Sequence, residues 1–387
     1  MANINLQDAK RAKNDEFYTM YPDIEKEIAA YVEYDPDVFR NKVVLLPCDD
    51  PEWSNFTKYF AQNFARFGLK KLISTSFAVD SKKYKYGYQV TIFEESSPHY
   101  DKIKTRTNGK IFTLSHDKTL DSKINIEDLE WNYLEGDGDF RSDEIKKLRD
   151  ESDFIITNPP FSPFREFLAW LVEARKQFVI IGNKSCITYK EVFPLIKENK
   201  IWVGTTSFNK DLLFTSPEEI DPLQKPSSAT RVIDGVVYLR SPAIWLTNLD
   251  HGRRHRPLQL MTLKDNIRFN KKLKGKEAFD IYDNYDAIEV PYTDAIPRDY
   301  EGIMGVPISF LDKYNPEQFQ ILGMCENEDL YNLKTKVYTT KECKQAYLDK
   351  FGKKGTYDLN ASAVVIRNGS LEKVYQRVLI RHKNTIK

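Results

Sequence analysis

From about Lys42 to Leu249, short β-prone apolar runs alternate with segments whose apolar residues recur at helical spacing, and this alternation confines the chain to an α/β architecture. The runs are Val43-Val44-Leu45-Leu46, Leu72-Ile73-Ser74-Thr75, Phe154-Ile155-Ile156-Thr157, Phe178-Val179-Ile180-Ile181, Ile201-Trp202-Val203 and Ala243-Ile244-Trp245-Leu246. Between them, Phe56, Tyr59, Phe60, Phe64 and Phe67 mark one helical segment, and Phe164, Phe167, Leu168, Leu171 and Val172 line one face of another. A mostly parallel sheet with helices on both faces is the expected result. Tyr88 to Phe93 and Lys110 to Leu114 flank a charged, Asn-Gly-containing stretch and read as a hairpin-like insertion. From about Phe208 to Arg231 the pattern lapses into polar residues and prolines, which points to a surface excursion.

At 387 residues, with 41% apolar and 13% aromatic side chains, the chain can bury a real core as one large or two smaller domains. A boundary is expected near residue 250, where the texture changes. Between His251 and Lys276 stand nine Lys or Arg against the single acid Asp265, although the formal net charge of the whole chain is only +1. Asp- and Tyr-rich segments and turn-prone prolines follow. The division expected is therefore residues 1–250 and residues 251–387. Four cysteines, Cys48, Cys186, Cys325 and Cys343, lie far apart without the spacing of a zinc site or a disulfide framework. The N-terminus is polar and no run approaches about 18 apolar residues, so a soluble protein of a reducing compartment is expected, without membrane attachment.

The tetrapeptide Asn158-Pro159-Pro160-Phe161 joins one of these strands to the helical pattern after it. Successive prolines fix φ, remove two backbone donors and push each preceding residue out of the α region. A stiff turn with free carbonyls results. An Asn side-chain oxygen beside a proline carbonyl is a pair of acceptors, the complement of an exocyclic amino group with two N–H donors, and Phe161 offers a flat face for stacking. Asn-Pro-Pro also occurs in ordinary loops. Its place at the carboxyl end of a strand, where α/β sheets bind ligands, favours a site for a planar amine, adenine foremost.

Three further motifs accompany it: Asn14-Asp15-Glu16-Phe17-Tyr18-Thr19, Pro47-Cys48-Asp49-Asp50-Pro51-Glu52-Trp53-Ser54-Asn55-Phe56, and Gly136-Asp137-Gly138-Asp139-Phe140-Arg141-Ser142. In this order, and with Ser185-Cys186-Ile187-Thr188-Tyr189, Trp245-Leu246-Thr247-Asn248-Leu249-Asp250, Tyr282-Asp283-Asn284-Tyr285-Asp286 and Asn315-Pro316-Glu317-Gln318-Phe319, the set resembles the EcoRI-type family of DNA adenine-N6 methyltransferases. The likeness runs from about residue 10 to residue 320.

The resemblance implies a Rossmann-like methyltransferase fold in residues 1–250 and a smaller C-terminal DNA target-recognition region in residues 251–387. It implies S-adenosylmethionine as cofactor, S-adenosylhomocysteine as product, no metal, and double-stranded DNA as partner. Asn158, Pro159, Pro160 and Phe161 would be catalytic. Glu16, Phe17, Tyr18 and Thr19 would lie near the methionine end of the cofactor, Pro47, Cys48 and Asp49 near its nucleoside, and Asp139 and Phe140 beside its adenine ring. The loop after the first strand departs from the wider methyltransferase pattern because it contains no glycine, and a helix cap by Ser54 or Asp50 is the alternative role for it. Asp80 is the nearest acid to the end of the second strand, where a ribose ligand would be sought.

The basic block supplies Arg253, Arg254, Arg256, Arg268, Lys271 and Lys272 as candidate DNA contacts, by phosphate neutralisation or guanine readout. A solvated charged surface is the plain alternative. The family's namesake modifies GAATTC, which becomes the expected site. A monomer in the cytoplasm of a prokaryotic or phage-infected cell is expected, sharing its site with any cognate restriction endonuclease without a stable complex. Two rivals stand beside this reading: a methyltransferase acting on an RNA base or protein glutamine, and a catalytically vestigial DNA-binding module.

Overall fold

The computed structural model describes residues 18–49, 54–78, 95, 97–118, 124, 128–215, 229–273 and 275–383. Glu16, Phe17, Asp50, Asp80 and the Tyr88 to Phe93 run lie outside the described residues. The chain divides into two compact units, one of residues 1–194 and 201–252, the other of residues 195–200 and 253–387.

The first unit is built on an eight-stranded sheet. In chain order its strands are β2 (Val43–Leu46), β3 (Lys71–Ser76), β4 (Lys110–Leu114), β5 (Glu130–Tyr133), β6 (Phe154–Thr157), β7 (Gln177–Asn183), β8 (Trp202–Val203) and β12 (Ala243–Thr247). Their order across the sheet is β5-β4-β3-β2-β6-β7-β12-β8. The centre, β3-β2-β6-β7, is parallel, while β4 and β12 run against it, so the parallel character expected from the apolar runs holds for the middle and gives way at both margins. Lys110 to Leu114 pairs with Glu130–Tyr133, a strand that the sequence reading missed because only Trp131 in it is buried.

A second, four-stranded sheet joins β1 (Tyr18–Thr19), β9 (Leu212–Thr215), β10 (Thr230–Ile233) and β11 (Val236–Ser241) in the order β1-β9-β11-β10. Much of the expected polar excursion from Phe208 to Arg231 that is described is thus strand. Leu212 and Phe214 carry apolar side chains into the core between half-buried neighbours, and two inward residues in so short a run leave little sequence signal.

Helix α1 (Tyr21–Tyr34) has Pro22 in its first turn and buries Ile24, Glu27, Ile28 and Tyr31, one helical face. With α2 (Asn55–Gln62) it covers the sheet face formed by Val44, Leu46, Phe154, Ile156, Val179, Ile181 and Trp245. Alternate residues Leu45, Ile155 and Ile180 are buried on the other side. There α4 (Phe164–Glu173) lies so close that a Cβ at Gly182 would stand 2.8 Å from the Phe164 ring. Helix α3 (Asp143–Glu151), capped by Ser142, precedes β6.

The second unit has its own sheet of β13 (Ala287–Glu289), β14 (Ile303–Pro307), β15 (Phe319–Met324) and β18 (Arg377–His382), in the order β13-β14-β18-β15. A hairpin of β16 (Val364–Arg367) and β17 (Ser370–Lys373) turns at Asn368-Gly369, with φ of 51° and 76°, the left-handed pair that a tight two-residue turn requires. Helices α5 (Leu263–Phe269) and α6 (Thr340–Phe351) complete it, α6 opening on a Thr339/Glu342 capping box. Among the described residues no helix is long and apolar enough to cross a membrane.

Candidate active site

In the first unit the chain passes from β2 to β3 on one side and from β6 to β7 on the other, so the crevice of this sheet opens at the carboxyl ends of β2 and β6. Those two ends carry Pro47-Cys48-Asp49 and Asn158-Pro159-Pro160-Phe161.

Asp49 is the hub that joins them. It is only 4% exposed, yet each carboxylate oxygen meets a hydroxyl, as a buried charge requires. The Ser54 hydroxyl donates to Oδ1 at 2.7 Å. The Thr157 hydroxyl, last residue of β6, lies against both Oδ2 and the Pro47 carbonyl oxygen, one proton serving two acceptors. The Asp49 backbone N–H donates to the Thr75 carbonyl at 2.8 Å, which ties the loop to the end of β3 as well. Ser54 also accepts from the Phe56 N–H at 3.1 Å and so caps α2. The helix-cap alternative for this loop is therefore realised through Ser54, while the same hydroxyl orients Asp49.

Cys48 takes φ of 68°, the left-handed conformation normally left to glycine. The missing glycine does not prevent the turn; a half-buried cysteine makes it, at a strain of about 1–3 kcal/mol. All four cysteines are free thiols.

The last two residues of the N-terminal motif, Tyr18 and Thr19, reach the same place. Thr19, in β1, is buried, and its carbonyl accepts from the Asn55 side-chain amide at 2.8 Å, directly beside Ser54. Its own hydroxyl is buried with no hydrogen-bond partner among the described residues. Tyr18 is buried in the same strand. Lys184, at the end of β7, pairs with Asp211 at 2.8 Å, and Asp211 with Arg240 at 2.8 Å, which anchors the sheet carrying β1 to the main one.

The third motif crosses the end of β3. Gly138 has φ of 86° and lies against the Ser76 carbonyl with no room for a Cβ, and the Ala78 N–H donates to the Asp137 carbonyl at 2.8 Å. The Asp139 carboxylate is gripped by the Arg141 fork at 2.9 and 2.6 Å, and Arg141 extends to Glu166 of α4 at 3.1 Å. The Arg141 guanidinium holds the Asp139 carboxyl below the usual carboxylate range. Phe140 is 2% exposed, its ring edge-on to Phe167 and Trp170 with centroids 5.1 and 5.7 Å away. Its ring belongs to the core, which leaves its backbone as the part that a ligand can meet.

In the turn after β6, Pro159 is buried, whereas Asn158, Pro160 and Phe161 are half-buried. Asn158 Oδ1 is screened from solvent. Phe161 packs against the core cluster that covers this face of the sheet.

Sequence reasoning passed over Thr157, Asn55 and Arg141. A hydroxyl ending an otherwise apolar strand, and an Arg two residues from an Asp, were the available signals. A Thr157→Val enzyme keeps the shape but withdraws the donor from Asp49 and Pro47. It is expected to lose about 1–3 kcal/mol of stability in urea unfolding; a loss below about 0.5 kcal/mol would show that this bridge carries nothing.

The six candidate cations lie in the second unit. Arg253, Arg256, Arg268, Lys271 and Lys272 are exposed, Lys272 paired with Asp294 at 3.1 Å. Arg254 is a correction: it is 6% exposed, and its guanidinium donates to Asn199 within the same unit, so it faces inward and offers no surface charge. Among the described residues no group of three or more His, Cys, Asp or Glu is placed to hold a metal ion.

A family model described as adenine-specific methyltransferase EcoRI matches residues 5–383. The Type II methyltransferase M.EcoRI of Escherichia coli is 42% identical over 329 residues, 84% of this chain and 90% of that protein. M.MpnI of Mycoplasma pneumoniae, also a Type II methyltransferase, is 34% identical over 335 residues, covering 85% of this chain and 89% of its own length. No solved structure matches the chain. With a family model matching from residue 5 to residue 383 and relatives of this identity aligned over most of both chains, the protein belongs to the EcoRI family of adenine-specific methyltransferases.

Proposed function

We propose that the enzyme transfers a methyl group from S-adenosylmethionine to N6 of an adenine flipped out of a short duplex DNA site, with GAATTC as the first candidate. One observation supports this above the rest. Three hydrogen bonds, from the Asn55 amide to the Thr19 carbonyl and from the Ser54 and Thr157 hydroxyls to Asp49, join segments in which Asn55 follows Ser54 and Asn158 follows Thr157, so the motifs assigned to donor and acceptor meet at one edge of the sheet. The strand order, with the crevice between β2 and β6, supports a Rossmann-like reading of that sheet.

The residues at this edge fit the cofactor. The buried Thr19 hydroxyl has an unused hydrogen bond to give among the described residues, the Cys48 turn brings backbone to the sheet edge, and Asp139 retains acceptor capacity beyond the Arg141 fork. When bound, S-adenosylmethionine supplies an electrophilic methyl group on a sulfonium. Thr19 and the loop Pro47 to Asp49 would hold it, with Asp139 and the Phe140 backbone at its adenine.

The nucleophile is poor because the N6 lone pair is delocalised into the ring. Asn158 Oδ1 and the Pro159 carbonyl accept one amino proton each, favour a pyramidal nitrogen and stabilise the positive charge that develops there. The half-buried Phe161 ring stacks on the extruded base, worth about 1–3 kcal/mol against an unstacking cost of a few kcal/mol. In this reading residues 251–387 recognise the duplex, and the enzyme works as a monomer in a prokaryotic cytoplasm. Any companion endonuclease shares its site without a stable complex.

The test is transfer of labelled methyl groups to duplex DNA, followed by restriction at GAATTC. Protection at that sequence is the expected result. Methylation with complete cleavage at GAATTC would reassign the site, and no transfer to any duplex would remove DNA as the substrate.

A further inference from the structure

In the proposed function the exposed cations of the second unit would neutralise phosphates, which gives affinity with little sequence information. Reading a site needs groups that touch bases. Tyr375 is 85% exposed, the most exposed large apolar side chain among the described residues. It sits in the three-residue link between β17 and β18, and both flanks of the link are pinned. Val374 is buried in the core cluster of this unit, with its N–H on the Ala363 carbonyl at 3.0 Å, and Arg377 is buried on Glu289 at 2.6 Å. An aromatic ring is thus presented to water from a backbone anchored on either side of it.

Beside it lies an open cleft of about 420 Å³ lined by Pro291, Pro307, Ile308, Tyr375, Gln376 and Arg377. The cleft adjoins the basic segment, because Tyr292, next to Pro291, carries the Lys272 ammonium 4.5 Å from its ring centre. Exposed Lys271 precedes that lysine. An aromatic face, an amide and the neighbouring Lys271 and Lys272 together match a nucleic acid, whose bases stack, whose edges pair with amides and whose backbone is anionic.

We propose that the Val374 to Gln376 link is a base-contacting element, in which Tyr375 stacks on bases of the duplex and Gln376 presents its amide to a base edge. This rests on the reading of DNA as substrate.

The experiment measures Kd of the full chain, with S-adenosylhomocysteine present, for a duplex bearing the site that the wild type methylates and for its scrambled counterpart. Tyr375→Ala is expected to weaken cognate binding by about 5- to 150-fold, while Tyr375→Phe, which keeps the ring, stays within about threefold. Gln376→Ala is expected to shrink the cognate-to-scrambled ratio by about 5- to 150-fold. Neither changes the salt dependence of Kd, whereas Lys271→Ala lowers its log–log slope by about one. Wild-type affinity in Tyr375→Ala overturns the proposal. So does a loss accompanied by a lower melting temperature, which marks a structural role, or by altered sedimentation, which marks an interface between copies. If the wild type methylates no duplex, the reading of the substrate fails first, and this inference with it.

Discussion

An Asn158→Ala enzyme is expected to turn over about 10²–10³-fold more slowly than the wild type, with its affinity for S-adenosylmethionine unchanged within about threefold. The asparagine stands at the carboxyl end of β6, one residue after Thr157, and its Oδ1 is screened from water. An acceptor in such a place interacts more strongly with a developing charge than it would in solvent, because the local dielectric is low. In the ground state the adenine amino group is nearly planar and neutral, so most of the interaction appears only as the nitrogen becomes cationic. The loss should therefore fall on kcat more than on KM. Asn158→Asp keeps an acceptor oxygen and is expected to retain more activity than the alanine variant. Single-turnover kinetics with cofactor binding measured in parallel decide the matter: a rate within about tenfold of the wild type would remove Asn158 from the chemistry.

Arg377→Met is expected to destabilise the second unit by about 3–5 kcal/mol. The Arg377 Nε and Nη2 donate to Glu289 at distances from 2.6 to 3.2 Å, and the two side chains are 9% and 2% exposed. The Tyr282 hydroxyl donates to the same carboxylate. Burial and the neighbouring Glu289 charge push the Tyr282 phenol well up, so it remains a donor throughout the physiological range. Removing the guanidinium leaves the Glu289 carboxyl group enclosed, with the Tyr282 hydroxyl as its remaining side-chain donor among the described residues. The cost comes from that stranded carboxylate more than from the lost attraction, and this yields a sharper check. Glu289→Met combined with Arg377→Met should recover most of the loss. Urea unfolding monitored for each unit would read both; a loss under about 1 kcal/mol in the single variant would mean that water reaches the pair.

The elements most plainly legible in the sequence are those buried on both sides. Val43–Leu46, Phe154–Thr157, Phe178 to Ile181 and Ala243 to Leu246 stand out because sheet strands covered on both faces must be apolar at successive positions, whatever they pack against. Helix α4 was equally plain, since one buried face imposes its spacing directly. Strands with few inward residues were not. Glu130–Tyr133 and Tyr18–Thr19 acquire their conformation from partners distant in sequence, Lys110–Leu114 and Leu212–Thr215.

At the candidate site the division is similar. The sequence by itself determined that a stiff acceptor turn ends a buried strand, because proline restricts the backbone wherever it occurs. Only the tertiary structure decided that Asp49 is shared between Ser54 and Thr157, 108 positions of chain separating Asp49 from the latter, and that Arg254 turns inward to Asn199 while Arg253 stays outside. Hydroxyls, carboxylates and guanidinium groups are chemically the same in solvent and in a core. What they do follows from which groups the fold places against them and how much water it leaves, and neither is written in local composition.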